Sequence, residues 1–219
     1  HAGEHINTNT TWWEMARPFM DYLSRCSYML RQGNFVGDVC IYYGDQAPNQ
    51  VPARRIDPNI TPTYHDSTCL HCGVPKPVDP GKLQGYDYDY INSDIINNHM
   101  KTENGKLVLP SGQSYKIMLL PDRDDMAAEV LKSLEKLIAD GAIVIGRKPI
   151  RSNSLKNYPQ CDNEVMALAD KIWGKCDGKT ALSNKYGKGT VHWGKSVKQV
   201  LDELKITPDF EVKGIDNSH

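Results

Sequence analysis

The sequence predicts an α/β fold, an open and mostly parallel sheet flanked by helices, and three observations carry that prediction. Strand-like apolar runs alternate with helical periodicity through the second half of the chain. Tyr115 to Leu120 and Ala142 to Ile145 are continuous apolar strands, the pattern expected where both faces of a sheet are covered. Between them lies an amphipathic helix. Strand, helix and strand within about 30 residues make a βαβ unit, nearly always right-handed and parallel.

The 219 residues suffice for one large domain with a sizeable core. Apolar residues make up 39% and charged residues 24%, with a mean hydropathy of −0.54, the balance of an ordinary soluble chain. Lys and Arg (26) nearly cancel Asp and Glu (27), which argues against a nucleic-acid partner. No apolar run approaches the roughly 20 residues of a membrane span. Scattered Gly and Pro among recurring hydrophobic blocks exclude collagen, coiled coil and disorder. The chain opens on His1-Ala2-Gly3 with neither an initiator Met nor a signal-peptide pattern, so it is expected to be excised from something larger.

The elements follow in order. Thr11-Trp12-Trp13-Glu14 has the form of a capping box, and Phe19, Leu23, Cys26 and Leu30 recur at helical spacing, predicting a helix over 11–32 that Gly33 stops. Pro18 is expected to bend or restart it. Val36 to Tyr43 reads as a buried strand. From Gly44 to Gly85 no period survives and seven prolines intervene (48, 52, 58, 62, 75, 77, 80), predicting a long irregular surface excursion at 44–85. Tyr88 to Asn92 reads as a short strand and Asp94 to Met100 as a short helix. A turn at Asn104-Gly105 precedes an apolar stretch, Lys106 to Leu109. Asp124 or Asp125 is expected to cap the crossover helix, whose face carries Met126, Val130, Leu134, Leu137 and Ile138, and Gly141 ends it. A helix at 162–173, a strand at 189–193 and a capped helix at 196–204 complete the chain, with no internal repeat.

Tests for chemistry mostly exclude. There is no G-x-G-x-x-G after the first strand and no G-x-x-x-x-G-K-[ST], so no nucleotide or other cofactor is expected. A strand-to-turn elbow would expose Ser or Cys, but Ile145 is followed by Gly146-Arg147 and Leu120 by Pro121-Asp122. Asp122, Asp124 and Asp125 admit a catalytic or metal reading, yet acids are favoured at a helix N-terminus by capping and the dipole, and that reading is preferred.

The metal-like constellation is Cys69-Leu70-His71-Cys72 with His65 just before it. His65, Cys69 and Cys72 supply three ligands where structural zinc wants four, and Cys161 and Cys176 form no second knuckle. Free thiols or a strained local disulfide are preferred to zinc. Cys26 and Cys40 sit in apolar elements, where a thiol acts as a small hydrophobe. Glu4 to Trp13 is dense in polar readers and indoles, a composition shared by sugar sites and by plain polar loops that lead into core tryptophans.

His5 to Trp13 together with Asp21 to Gly33 resembles the α-L-rhamnosidase-type enzymes of glycoside hydrolase family 106. Gly37 to Asp45, Gly85 to Asp94, Leu107 to Tyr115, Leu119 to Arg123, Tyr158 to Asp162, Asp177 to Thr180 and Tyr186 to Gly189 are further matches, so the resemblance runs over nearly the whole chain. The Cys-bearing stretch 65–80 departs from the family's pattern.

The resemblance implies that 1–34 is a strand-helix remnant closing a (β/α)8 catalytic barrel. It implies that 35–219 is a domain similar to class I glutamine amidotransferases, of flavodoxin-like architecture, without their nucleophilic Cys. A glycosidase needs a paired acid and base or nucleophile, and in the resembled enzymes that pair lies upstream of His1. The chain is therefore expected to be a non-catalytic accessory portion of a periplasmic or secreted hydrolase acting on plant or microbial glycans. Its expected partners are carbohydrate, through the parent enzyme, and the remaining domains of the same polypeptide. Residues between a barrel strand and its helix face the barrel's active end, so His5, Asn7 and Asn9 are the expected sugar-facing side chains. The alternative is a free-standing, degenerate amidotransferase-like module for ligand binding or oligomerisation; a third is a complete enzyme with an unrecognised acid pair.

Overall fold

The crossover unit expected between 115 and 145 is formed in the computed structural model, which describes residues 7–45, 83 and 85–211. The chain divides into two compact units, His1–Phe35 and Val36–His219. Most of the expected excursion, residues 46–82, lies outside the described residues.

In the first unit a 3-10 turn at Trp13–Met15 leads into helix α1 (Ala16–Leu30). The helix starts later than the sequence predicts, and the Thr11–Glu14 capping box does not form: Met15 holds the N-cap position with no side-chain cap. The late start explains why Pro18 does not restart the helix. It falls in the first turn, where a backbone N–H has no intrahelical acceptor to lose. Only Ala16 of α1 is buried, and Phe19, Leu23 and Leu30 are exposed. Trp12 and Phe19 meet edge to face at 6.2 Å.

The second unit holds nine strands and three helices among the described residues: β1 (Val39–Tyr42), β2 (Tyr88–Ile91), β3 (Lys101–Glu103), β4 (Lys106–Val108), β5 (Ser114–Tyr115), β6 (Ile117–Leu119), α2 (Ala128–Ala139), β7 (Ile143–Ile145), α3 (Gln160–Trp173), β8 (Ser183–Tyr186), β9 (Gly189–His192) and α4 (Val197–Glu203). The predicted short helix forms, its Ile95–His99 stretch as a single π-helical turn. The main sheet has the order β2-β1-β6-β7-β9-β8, parallel throughout except for β8, which runs antiparallel to β9. Numbered along the chain, its five parallel strands stand in the order 2-1-3-4-5. The order reverses between β1 and β6.

Both faces of this sheet are covered, as its apolar strands require. Cys40, Tyr42, Met118, Val144 and Val191 face α2 and α3, while Val39, Ile41, Ile117 and Ile145 face α4. Burying a Leu or Ile side chain stabilises by about 1.5–3 kcal/mol, so α2 is held chiefly by Val130, Leu131, Leu134, Leu137 and Ile138. The predicted cap of α2 is wrong: Ala127 occupies the N-cap, and Asp124 and Asp125 are committed elsewhere.

The single predicted strand 115–120 is two strands. Tyr115 pairs antiparallel with Leu107 in a separate three-stranded sheet (β3-β4-β5), and Ile117–Leu119 enter the main sheet. The change of sheet falls at Lys116, whose N–H donates to the Asp38 carbonyl at 2.8 Å and whose Nζ lies 2.7 Å from the Asp38 carboxylate. At the far end, Ser196 and Gln199 form the capping box of α4 that the sequence predicts. No helix among the described residues is long and apolar enough to cross a membrane.

Candidate functional site at the carboxyl edge of the sheet

In open α/β sheets ligands bind beyond the carboxyl ends of the strands, at the point where the strand order reverses. Here that crevice lies between the exits of β1 and β6. β1 runs out through Tyr43 and Gly44 to Asp45. β6 runs out through Leu120 and Pro121 to Arg123, Asp124 and Asp125.

Several polar groups at this edge are paired, while Asp122 is exposed beside them. The Tyr42 hydroxyl donates to the Asp45 carboxylate, and burial followed by that contact holds the phenol well above its ordinary range, so it stays a donor. Arg123 bonds both carboxylate oxygens of Asp125 through Nε and Nη2, at 2.8 and 2.9 Å. That fork holds the guanidinium in its charged form. Arg151 Nη2 reaches Asp124 Oδ1 at 3.2 Å, and the Ile150 N–H donates to the Asp124 carbonyl at 2.8 Å, tying 150–151 alongside 124–126. Such a set can hold a shape and offer hydrogen bonds. Asp45, Asp124 and Asp125 already carry cationic or phenolic partners.

The elbow position after β7 holds Gly146 and Arg147. A Cβ on Gly146 would stand 2.5 Å from the Leu120 side chain, so the turn packs tightly against the exit of β6. Trp173 Nε1 donates to the Gly146 carbonyl at 3.0 Å. The turn is thus fixed from both sides and presents neither Ser nor Cys.

Among the sequence-predicted site residues, Asn7 and Asn9 lie in the loop before α1. Asn7 Oδ1 accepts from the Asn9 N–H at 2.8 Å, and the Asn7 carbonyl accepts from the Thr10 hydroxyl at 2.8 Å. His5 lies outside the described residues, as do His65, Cys69 and Cys72. Among the described residues no three His, Cys, Asp or Glu side chains are grouped to hold a metal ion. Cys26, Cys40, Cys161 and Cys176 are free thiols, and burial pushes the Cys40 and Cys176 thiols up, away from the reactive thiolate. The Arg123–Asp125 and Arg151–Asp124 pairs were missed in the sequence. Alternating charges in Asp122-Arg123-Asp124-Asp125 were the available signal, since adjacent opposite charges off a helix can fork on one another.

The model of the glycoside hydrolase family described as alpha-L-rhamnosidase matches residues 1–219, the whole chain. The chain belongs to glycoside hydrolase family 106. This family-106 chain is 37% identical over 175 residues to a protein of Formosa agariphila named "Putative beta-glucuronidase", a match covering 80% of this chain and 13% of that protein. It also resembles the solved structure of a rhamnosidase from Novosphingobium sp. PP1Y, at 27% identity and a TM-score of 0.72 over 99% of this chain and 18% of that one. The chain therefore spans less than a fifth of the length of either.

Proposed function

We propose that this family-106 chain is an accessory, non-catalytic portion of an α-L-rhamnosidase-type glycoside hydrolase. In this reading 1–34 is the end of the catalytic barrel and 35–219 a degenerate glutamine amidotransferase-like domain. One observation carries the non-catalytic part. A glycosidase acid works with its carboxyl held protonated, pKa raised. The carboxyls held clearly away from their ordinary range among the described residues are all held down: Glu129 by Lys156, Glu135 by Lys171 and Tyr186, Asp177 by Thr180 and three backbone N–H groups, and Glu203 by Lys195. These are stable anions in ion pairs and loop caps. They are poor proton donors at neutral pH.

Two further features support the reading. The 2-1-3-4-5 order of the parallel strands is the one a flavodoxin-like domain would have, and the elbow holds Gly146-Arg147 where an amidotransferase would place its Cys. Helix α1 leaves Phe19, Leu23 and Leu30 exposed; an apolar face of that kind marks a contact surface, and the remaining domains of a longer polypeptide would cover it. The expected result is that the isolated chain turns over neither an aryl α-L-rhamnoside nor glutamine, while the full-length parent cleaves the rhamnoside. Turnover by the isolated chain, abolished by replacing one of its carboxylates or cysteines, would overturn the reading.

The polar loop before α1 extends the proposal: with the parent's barrel in place, His5, Asn7 and Asn9 face its sugar pocket. Asn7 already braces the loop through Asn9, which would hold Asn9 in a fixed pose. In the full-length enzyme, His5→Ala or Asn7→Ala is expected to lower kcat/KM on an aryl rhamnoside by roughly five- to two-hundred-fold, the worth of a hydrogen bond of about 1–3 kcal/mol. Unchanged kinetics in folded variants would make the loop purely structural.

A further inference from the structure

His192 ends β9 on the face that carries α4. Its sheet partner Ile145 belongs to the apolar cluster under α4, and its chain neighbour Val191 belongs to the opposite one. The residue is 7% exposed, and its Nδ1 lies 2.8 Å from Oγ of Ser183, the residue directly opposite on β8. The charged groups that act on the ring are Lys195 and Glu203. These two form a brace of their own: Lys195 Nζ donates to both Glu203 oxygens at 2.8 Å, tying the loop before α4 to the helix's last residue. Helix α4 lays Val197, Val200 and Leu201 on the sheet. The chain beyond it closes on the entry to β2, where the Tyr86 hydroxyl donates to the Ile206 carbonyl and the Asp209 N–H to the Gly85 carbonyl, each at 2.8 Å.

We infer that His192 is an acid-operated latch on α4: a proton on its ring adds a cation near Lys195 on the covered sheet face that α4 packs against, and α4 with its tail is released from the sheet. Three features make the arrangement a latch. The residue is 7% exposed, so a charged imidazole gains most of its hydration when its cover lifts. The cation that acts on it, Lys195, is half of the brace that holds α4. The anion that would welcome the charge, Glu203, is the other half, so a protonated ring competes for the group that closes the brace. Burial first, and Lys195 second, hold the imidazole below its ordinary value of 6.5, with Glu203 opposing them.

The sign follows directly. With the latch closed the ring takes up its proton at a lower pH than with the latch open, so between those two titrations the open form binds more protons. Acid therefore favours opening, by up to about tenfold in population per pH unit for one proton. Above the ordinary imidazole range both forms are neutral and the latch stays shut. The core strands β6 and β7 carry no such group on their helix-covered stretch and are expected to be unaffected.

The test is amide hydrogen exchange of the full 219-residue chain at pH 7 and pH 5, corrected for intrinsic rates. Residues 197–211 are expected to lose protection severalfold or more at pH 5 while β6 and β7 keep theirs, and His192→Gln, which keeps a partner for Ser183 but cannot titrate, is expected to remove the difference. An equal loss in His192→Gln, no loss in the wild type, or a loss spread evenly over the sheet would overturn the latch. Direct NMR titration of the His192 ring in the wild type is a second reading that needs no variant. A titration at or above the ordinary imidazole value refutes the proposal, and Lys195→Met is expected to move a depressed one upward.

Discussion

Replacing Trp173 with alanine is expected to lower the unfolding free energy of the chain by about 3–5 kcal/mol, the range for deleting a large buried aromatic. Trp173 is the last residue of α3, fully buried, and it packs in the cluster that joins α2 and α3 to Cys40, Met118, Val144 and Val191 of the sheet. Truncation leaves a cavity that helix and sheet can only partly close, because the elbow beside it is already pinned by Gly146 against Leu120. It also strips the Gly146 carbonyl of its indole donor. Trp173→Phe separates the two contributions: it keeps much of the volume and is expected to cost about 1–2 kcal/mol, mainly for the lost hydrogen bond. Urea unfolding checks both, with a lower midpoint at unchanged slope. A cost below about 1 kcal/mol for Trp173→Ala would mean that α3 is not a structural part of the core.

What could be read from the residues, and what could not, divides along a physical line. The βαβ unit was legible because Ala142, Val144, Ile145 and the face Val130, Leu134, Leu137, Ile138 are all buried, each favouring its element's period. The change of sheet at Lys116 was not read. Its cause is a long-range partner, Asp38, 78 positions upstream in the chain, although a lysine inside an apolar run was a visible irregularity. Strands β3 and β8 escaped for a related reason: Lys101–Glu103 and Ser183–Tyr186 are polar edge segments whose pairing is fixed by their hairpin partners. Local rules also misled where tertiary contacts outbid them. Thr11 and Glu14 have the spacing of a capping box, and Asp124 and Asp125 stand where a helix cap would be expected. The structure instead leaves α1 and α2 without side-chain caps and gives the two aspartates to Arg151 and Arg123. At the candidate site, the sequence revealed the missing elbow nucleophile, since that is a matter of one position. It did not reveal the Arg–carboxylate pairs, which require two loops to meet.

Gly189→Ala is expected to cost about 3 kcal/mol or more, and its sign separates tertiary from local control of this strand. Judged locally the substitution should help, because Gly inside a strand is penalised for its freedom in the unfolded chain. The surroundings say otherwise. A Cβ at 189 would stand 2.2 Å from the Ile138 carbonyl oxygen and 2.3 Å from the Ala142 carbonyl oxygen. Both are backbone atoms at the end of α2 and the entry to β7, held in turn by hydrogen bonds: the Ala142 carbonyl accepts from the Thr190 N–H at 3.1 Å and the Ile138 carbonyl from the Gly141 N–H at 2.9 Å. No rotamer change relieves such a clash. Either β9 moves off β7, breaking the parallel pairing of Thr190, Val191 and His192, or the end of α2 unwinds, and overpacking of this kind is among the few routes to large losses. Gly105→Ala serves as the control. It has open space around its Cβ position and a φ of +75°, so only backbone strain of about 1 kcal/mol is expected. Denaturant midpoints of the two variants decide the matter: Gly189→Ala as stable as the parent chain, or more so, would mean that β9 does not sit against the end of α2, and the docking of the β8–β9 hairpin described here would be wrong.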